Sequence, residues 1–240
     1  MTEKKIYEKE FVLQLKDIDK NNNMRLSSYL NLMQEIGALH SAEFGYSLKD
    51  EPVTHKAWIV ISWDLDIFRR PAWNEKIKVI SWIGKIDKIY HYRDYEMVDS
   101  EGNIVAKGIA KWVMVDTVTK RIQKMDENYI KEFPVVERDG YNNNIDKINS
   151  KVDVNNLKTI YEYKVEKRDV DTNNHMNNII YLDLALEGLG DEIIDNVSKI
   201  QIHYKTECKY NEEIVFMQGE DGVYVFDKNK EKLHTQVILK

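Results

Sequence analysis

The chain has 240 residues, enough for one large core or two smaller ones. Its 35 basic and 41 acidic side chains leave a formal charge of −6, which argues against a general nucleic-acid binder, since such a surface needs a basic excess. A single cysteine, Cys208, excludes an intrachain disulfide and fits a reducing compartment.

The charged start MTEKKIYEKEF lacks the apolar core of a secretory signal. No apolar run approaches the roughly 20 residues of a membrane-spanning helix. A soluble cytoplasmic protein is expected, with no membrane span and no nucleic-acid partner. Ile6 to Leu15 reads as the first strand, and no appended DNA-binding segment is visible ahead of it. The polar loop 17–24 follows. Leu26, Tyr29, Leu30, Met33 and Ile36 then recur at helical spacing, with Ser27 or Ser28 placed to cap the helix. After Gly45, runs rich in β-branched and aromatic residues predict strands over 57–68, 76–85, 90–98 and 104–115. Asp99-Ser-Glu-Gly-Asn103 is a turn signal between the last two. Strands after a single helix predict an α+β unit, one antiparallel sheet packed on one helix.

Residues 135–158, polar and asparagine-rich, read as a linker. The plan then repeats: a strand over 159–166, a loop, a helix from about Asn178, and strands near 198–207, 213–219, 222–226 and 232–239. Ile179, Ile180, Tyr181, Leu182, Leu184, Ala185, Leu186 and Leu189 make the second helix apolar nearly all round, which predicts burial inside a wrapped sheet.

The repetition is visible residue by residue. Asp17-Ile-Asp-Lys-Asn-Asn-Asn-Met24 recurs as Asp169-Val-Asp-Thr-Asn-Asn-His-Met176, and nine of the nineteen positions from 17–35 are identical in 169–187. Trp73-Asn74-Glu75 finds its counterpart in Tyr210-Asn211-Glu212. A tandem duplication of one small unit is the reading. One helix wrapped by an antiparallel sheet, present twice, predicts a double hot-dog arrangement.

The copies differ where chemistry would sit: His175 stands in the second and Asn23 in the first. Asp171, Asn173, His175 and Asn177 lie in the loop that leads into the second helix. A helix N-terminus offers free N–H groups and partial positive charge, suited to an oxyanion. A carboxylate, an amide and an imidazole beside it suit acid–base chemistry. The plainer reading is an Asx-type turn capping a helix. Because Asp and Asn repeat in the first copy, that structural role applies to them in both, and His175 is the residue capping does not explain. An EF-hand is excluded, because its loop needs Gly sixth and Glu twelfth. Here those positions hold Asn22 and Asn174, then Ser28 and Ile180. With one Cys and no His pair at ligand spacing, no zinc motif is present, and no metal or cofactor is expected. A second group, Glu207-Cys208, falls at the expected end of the strand after the second helix, aligned with Arg70 and Pro71.

Arg168 to Tyr181 with Glu187, followed by Tyr204-Lys-Thr-Glu-Cys208, resembles the acyl-acyl carrier protein (acyl-ACP) thioesterases, the plant plastid enzymes and their bacterial relatives. Leu32-Met-Gln-Glu35 with His40, Trp58-Ile-Val-Ile61, Arg69-Arg-Pro-Ala-Trp73 and Trp112-Val-Met114 resemble motifs of that family's first half. The likeness runs in order over roughly residues 5–215. It implies a double hot-dog hydrolase with an acyl-binding, non-catalytic unit over 1–134, the linker 135–158, and a catalytic unit over 159–240. The enzyme would release free fatty acid from the phosphopantetheine thioester of acyl carrier protein. Carried over, the catalytic residues are Asp171, Asn173, His175 and Glu207. Cys208 takes a position proposed as a nucleophile in the family, although hot-dog relatives hydrolyse thioesters without one. Met33, Trp58, Ile61, Trp63 and Met114 are candidates to line an acyl tunnel. Arg69, Arg70, Lys76, Lys78, Lys120, Arg121 and Lys124 are candidates to dock the acidic carrier. An acyl-CoA thioesterase, a hot-dog dehydratase and a non-catalytic acyl-thioester-binding protein remain alternatives, and a homodimer stays open.

Overall fold

A computed structural model of the chain describes residues 5–125, 131, 133, 135–138, 140–141, 145 and 152–240. It forms two compact units, one of residues 1–61 with 65–145 and one of residues 62–64 with 146–240. Of the expected linker, residues 139, 142–144 and 146–151 lie outside the described residues.

The first unit runs β1 (Ile6–Val12), α1 (Leu26–Ala42), the short α2 (Glu51–Thr54), β2 (Lys56–Ile67), β3 (Lys76–Asp87), β4 (Tyr90–Val98) and β5 (Ile104–Asp116). Its strand order is β1-β3-β4-β5-β2. The second unit runs β6 (Lys158–Lys164), α3 (Ile180–Glu187), α4 (Asp191–Asp195), β7 (Lys199–Tyr204), β8 (Glu213–Gly219), β9 (Gly222–Asp227) and β10 (Leu233–Leu239). Its order is β6-β8-β9-β10-β7, the same topology element for element. The α+β reading and the duplication both hold. Hairpins β3–β4 and β4–β5 are antiparallel, as are β8–β9 and β9–β10. Asp99 closes the β4–β5 turn as read, its Oδ1 accepting from the N–H groups of Glu101 and Asn103.

Helix α1 packs on β3 and β1 and buries Leu26, Tyr29, Leu30, Met33 and Ile36, each at most 2% exposed. Side chains of that size contribute roughly 1.5–3 kcal/mol each when removed from water. Gly37 is there because the sheet comes close: a Cβ would stand 2.9 Å from the Tyr95 hydroxyl. Ser27 and Ser28 do not cap the helix. The N-cap is Arg25, and Ser28 Oγ instead donates to Asp17 O at 3.2 Å.

Helix α3 departs further from expectation. Only Tyr181, Leu182 and Ala185 of its eight residues are buried, while Ile180, Leu184 and Leu186 are half-buried. The helix with small and polar residues among its apolar ones, α1, is the more enclosed of the two. Apolar side chains all round make burial favourable but do not supply the cover. Close approach of a sheet needs small residues such as Ser27, Ser28, Gly37 and Ser41 of α1, all of them buried.

Candidate active site

The loop ahead of α3 is built by backbone bonds that recur in the first copy. Asp169, 4% exposed, caps a tight turn by accepting from Glu166 N and the Tyr163 hydroxyl. Asp171 N donates to His175 O at 2.9 Å, Met176 N to Cys208 O at 2.8 Å, and Asn177 N to Asp169 O at 2.7 Å. Their counterparts are Asp19 N to Asn23 O at 2.8 Å, Met24 N to Pro71 O at 2.7 Å, and Arg25 N to Asp17 O at 2.8 Å. Asn22 and Asn174 both take positive φ, +59° and +62°, which asparagine tolerates better than other side-chain-bearing residues. Asp19 Oδ1 accepts Asn21 N at 2.9 Å, as Asp171 Oδ1 accepts Asn173 N at 2.8 Å. The Asp and Asn residues therefore carry the turn in both copies, as the repeat implied.

The side chains part company on this common frame. In the first copy Arg70 Nη2 pairs with Asp19 Oδ2 at 2.9 Å and also donates to Met24 O, so the loop is closed by an internal ion pair. In the second copy Glu207 replaces that arginine and stands 3.1 Å from His175 Nε2. His175 is three-quarters covered and Glu207 about half exposed. A carboxylate only accepts, so Nε2 carries the proton in this pair. Glu207 lies beyond β7, which ends at Tyr204, and not on the strand expected to run to 207. Asp171 is half-buried and Asn173 exposed. Asn177 holds the turn ahead of α3: its Oδ1 accepts Ile179 N at 2.9 Å and its O accepts Ile180 N at 3.1 Å. Those two amides are thus occupied and not free to hold an oxyanion.

Cys208 keeps different company. It is fully buried, and burial pushes its thiol up to about 12, so at neutral pH it is protonated and a poor nucleophile. Its N–H donates to the Tyr181 hydroxyl at 3.1 Å, and its sulfur stands with Glu212 and His234. Sequence reasoning passed over Tyr181, although Tyr29 and Tyr181 were among the nine identities. Tyr29 is bonded differently: its hydroxyl donates to Arg69 O at 2.8 Å, since Pro71, the counterpart of Cys208, has no N–H to offer.

Of the acyl-lining candidates, Met33 and Trp63 are buried, and Met114 belongs to a core cluster with Ile83, Met125 and Phe133. Trp58 packs against that cluster, and Ile61 is half-buried. Among the docking candidates, Arg69 is held by Glu75 at 2.8 Å and Asp99 at 3.3 Å, and Arg70 by Asp19. Lys76 and Lys78 pair with Glu10 and Glu8 across β1 and β3. Lys120, Arg121 and Lys124 stand exposed on the segment after β5. Among the described residues, no helix is long and apolar enough to cross a membrane.

The family model for the acyl-ACP thioesterase N-terminal domain matches residues 4–133, and that for the C-terminal domain matches 152–239. An oleoyl-acyl carrier protein thioesterase of Arabidopsis thaliana is 26% identical over 222 residues, covering 86% of this chain and 61% of that protein. A palmitoyl-acyl carrier protein thioesterase of Cuphea hookeriana is 23% identical and is covered over 52% of its length. The chain thus spans about half to three-fifths of these chloroplastic relatives. Among solved structures, an acyl-ACP thioesterase from Bacteroides thetaiotaomicron superposes with a TM-score of 0.86 at 19% identity, covering all of both chains. A 12:0-ACP thioesterase from Umbellularia californica superposes at 0.83 and 19% identity over 98% of this chain and 97% of that one. These superpositions agree with the double hot-dog fold.

Proposed function

Because the chain belongs to the acyl-ACP thioesterase family, we propose that it hydrolyses the thioester between a fatty acyl chain and the phosphopantetheine arm of acyl carrier protein, in the cytoplasm, releasing free fatty acid. The observation that carries this is the His175–Glu207 pair at 3.1 Å, set in the loop whose first-copy twin is closed by Arg70 and Asp19. One copy keeps the frame and neutralises it; the other opens it with acid–base groups.

In this reading His175 Nε2–H holds one oxygen of Glu207. The other oxygen takes a proton from water. The resulting hydroxide attacks the thioester carbonyl, and Asn173 and Asp171 border the place where that carbonyl sits. The C–S bond breaks, and the leaving thiolate takes the proton back from Glu207. Asp171 is the alternative base, though its Oδ1 already holds the turn. The buried, protonated Cys208 does not attack. The acyl tail packs on apolar residues from the set Met33, Trp58, Ile61, Trp63 and Met114. Carrier docking falls to Lys120, Arg121 and Lys124, since Arg69 and Arg70 are already paired.

The test is free-thiol release from matched panels of acyl-ACP and acyl-CoA thioesters, wild type beside Glu207→Gln. Turnover of the carrier-bound panel, abolished in the variant, is the expected result. Turnover of CoA esters alone makes the protein an acyl-CoA thioesterase. Binding without turnover on either panel makes it a dehydratase or an acyl-thioester-binding protein.

A further inference from the structure

The shared carboxylate Glu75/Glu212 shows a second asymmetry between the copies. In the first copy Glu75 accepts Ala72 N at 2.7 Å and is neutralised by Arg69, whose Nη1 and Nη2 reach its two oxygens at 3.1 and 2.8 Å. In the second copy Glu212 Oε2 accepts the equivalent amide, Lys209 N, at 2.9 Å. The arginine, however, has become Thr206. The residue whose carbonyl anchors this segment has changed too. Val105 O accepts Phe68 N and Arg69 N in one copy, and His234 O accepts Lys205 N and Thr206 N in the other. Pro71 has become Cys208. So a guanidinium is lost, and a thiol and an imidazole are gained around the same carboxylate.

Their geometry shows what these groups face. Cys208 Sγ, a Glu212 carboxylate oxygen and a His234 ring nitrogen all lie within 4.8 Å of one another. Both Cys208 and His234 are fully buried. His234 Nδ1 stands 3.1 Å from Thr206 O and 3.1 Å from Thr206 Oγ1. A carbonyl only accepts, and the Thr206 hydroxyl proton is spent on Leu233 O at 3.0 Å, so Nδ1 carries the proton. That leaves the Nε2 lone pair buried, without a hydrogen-bond partner, 3.3 Å from Glu212 Oε1. A lone pair facing a carboxylate repels it unless a proton or a metal cation lies between them. Imidazole held through its other nitrogen by a carbonyl is also the usual support of a metal-bound histidine.

We propose that Cys208 Sγ, Glu212 Oε1 and His234 Nε2 bind a divalent transition-metal cation, Zn2+ first, which does in the second copy what the Arg69 guanidinium does in the first. Thiolate, carboxylate and neutral imidazole are a zinc donor set, with water left for the fourth position. Binding releases the thiol proton to solvent, and thiolate and carboxylate together balance the +2 charge. The Tyr181 hydroxyl, which hydrogen-bonds the sulfur, supports the thiolate. The other charged groups facing the cluster are Asp227 and Lys232, which offset each other. With 25 residues between Cys208 and His234, the set matches no linear metal motif.

The experiment strips the full chain with chelator, reloads it with Zn2+ or Co2+, and measures stoichiometry, cobalt absorption and thermal unfolding. One equivalent per chain, a thiolate-to-cobalt charge-transfer band and a raised Tm are expected. Cys208→Ser removes the band, and His234→Gln and Glu212→Gln weaken binding by roughly tenfold or more. His175→Asn leaves the band in place. Metal-free variants are melted beside the metal-free wild type, so that a misfolded variant is recognised. Absence of stoichiometric uptake by the wild type overturns the proposal. So does a band that survives Cys208→Ser in a folded chain, or one that is lost with His175→Asn.

Discussion

Replacing His175 by Asn, the residue its first copy carries, separates catalysis from structure. The loop bond at this position runs through the backbone, Asp171 N to His175 O at 2.9 Å, and the Asn23 version of the same bond is 2.8 Å. The side chain adds one contact, to a half-exposed Glu207. Pairs of that exposure contribute about 0–1 kcal/mol. The stability cost of His175→Asn is therefore at most about 1 kcal/mol, which for a chain of this size moves Tm by roughly 2–4 °C. The catalytic cost is of another order. Loss of the group that orients the base is expected to lower kcat by about 10²–10⁴, or roughly 3–5 kcal/mol of barrier. Thermal unfolding and free-thiol release on one preparation measure both. A variant within about tenfold of wild-type kcat, or one whose Tm collapses, refutes the reasoning.

Three further outcomes follow from particular residues. Burial pushes the Asp94 carboxyl up to about 6, above its unfolded value near 3.9. The native state thus holds that proton at pH 4–6 and loses this stabilisation as pH rises through 6. Asp94→Asn, which can still accept Tyr141 N, is expected to gain up to about 3 kcal/mol on wild type between pH 4 and pH 8 in denaturant titrations; an unchanged pH dependence would count against it. Asn174, at φ +62°, tolerates Gly, whereas Asn174→Val costs about 1–2 kcal/mol or more; equal midpoints for the two variants contradict this. Fully buried Cys208 resists iodoacetamide in the native chain, and treated enzyme keeps its turnover; rapid alkylation with inactivation would restore the thiol as nucleophile.

Much of this was legible in the sequence because the duplicated loop is demanding. A positive φ at Asn22 and Asn174, and carboxylates that accept backbone amides two residues on, restrict what can stand there, so both copies kept their spelling. His175 stood out as the residue the turn does not need. Its pairing with Glu207 was not readable, because 31 residues separate the two and no local pattern encodes a contact across them. The helix starts ahead of the serines, with Arg25 as its N-cap and Ser28 N already bonded to Arg25 O, so Ser27 and Ser28 lie buried within its first turn rather than capping it. The enclosure of α3 was overestimated because apolar character records what a face tolerates, not what covers it. Asn177, close to His175 in sequence, also shapes the turn that leads into α3, its Oδ1 accepting Ile179 N.

The most direct measurement makes the same substitution at equivalent positions of the two copies and compares turnover of an acyl-ACP thioester. Glu207→Gln is expected to lower kcat by about 10²–10⁴ with little change in Tm. Arg70→Gln, which breaks the closed pair with Asp19, is expected to leave kcat within a few-fold and to lower stability instead. Loss of kcat in both variants alike, or retention in Glu207→Gln, would contradict a single active copy built on His175 and Glu207.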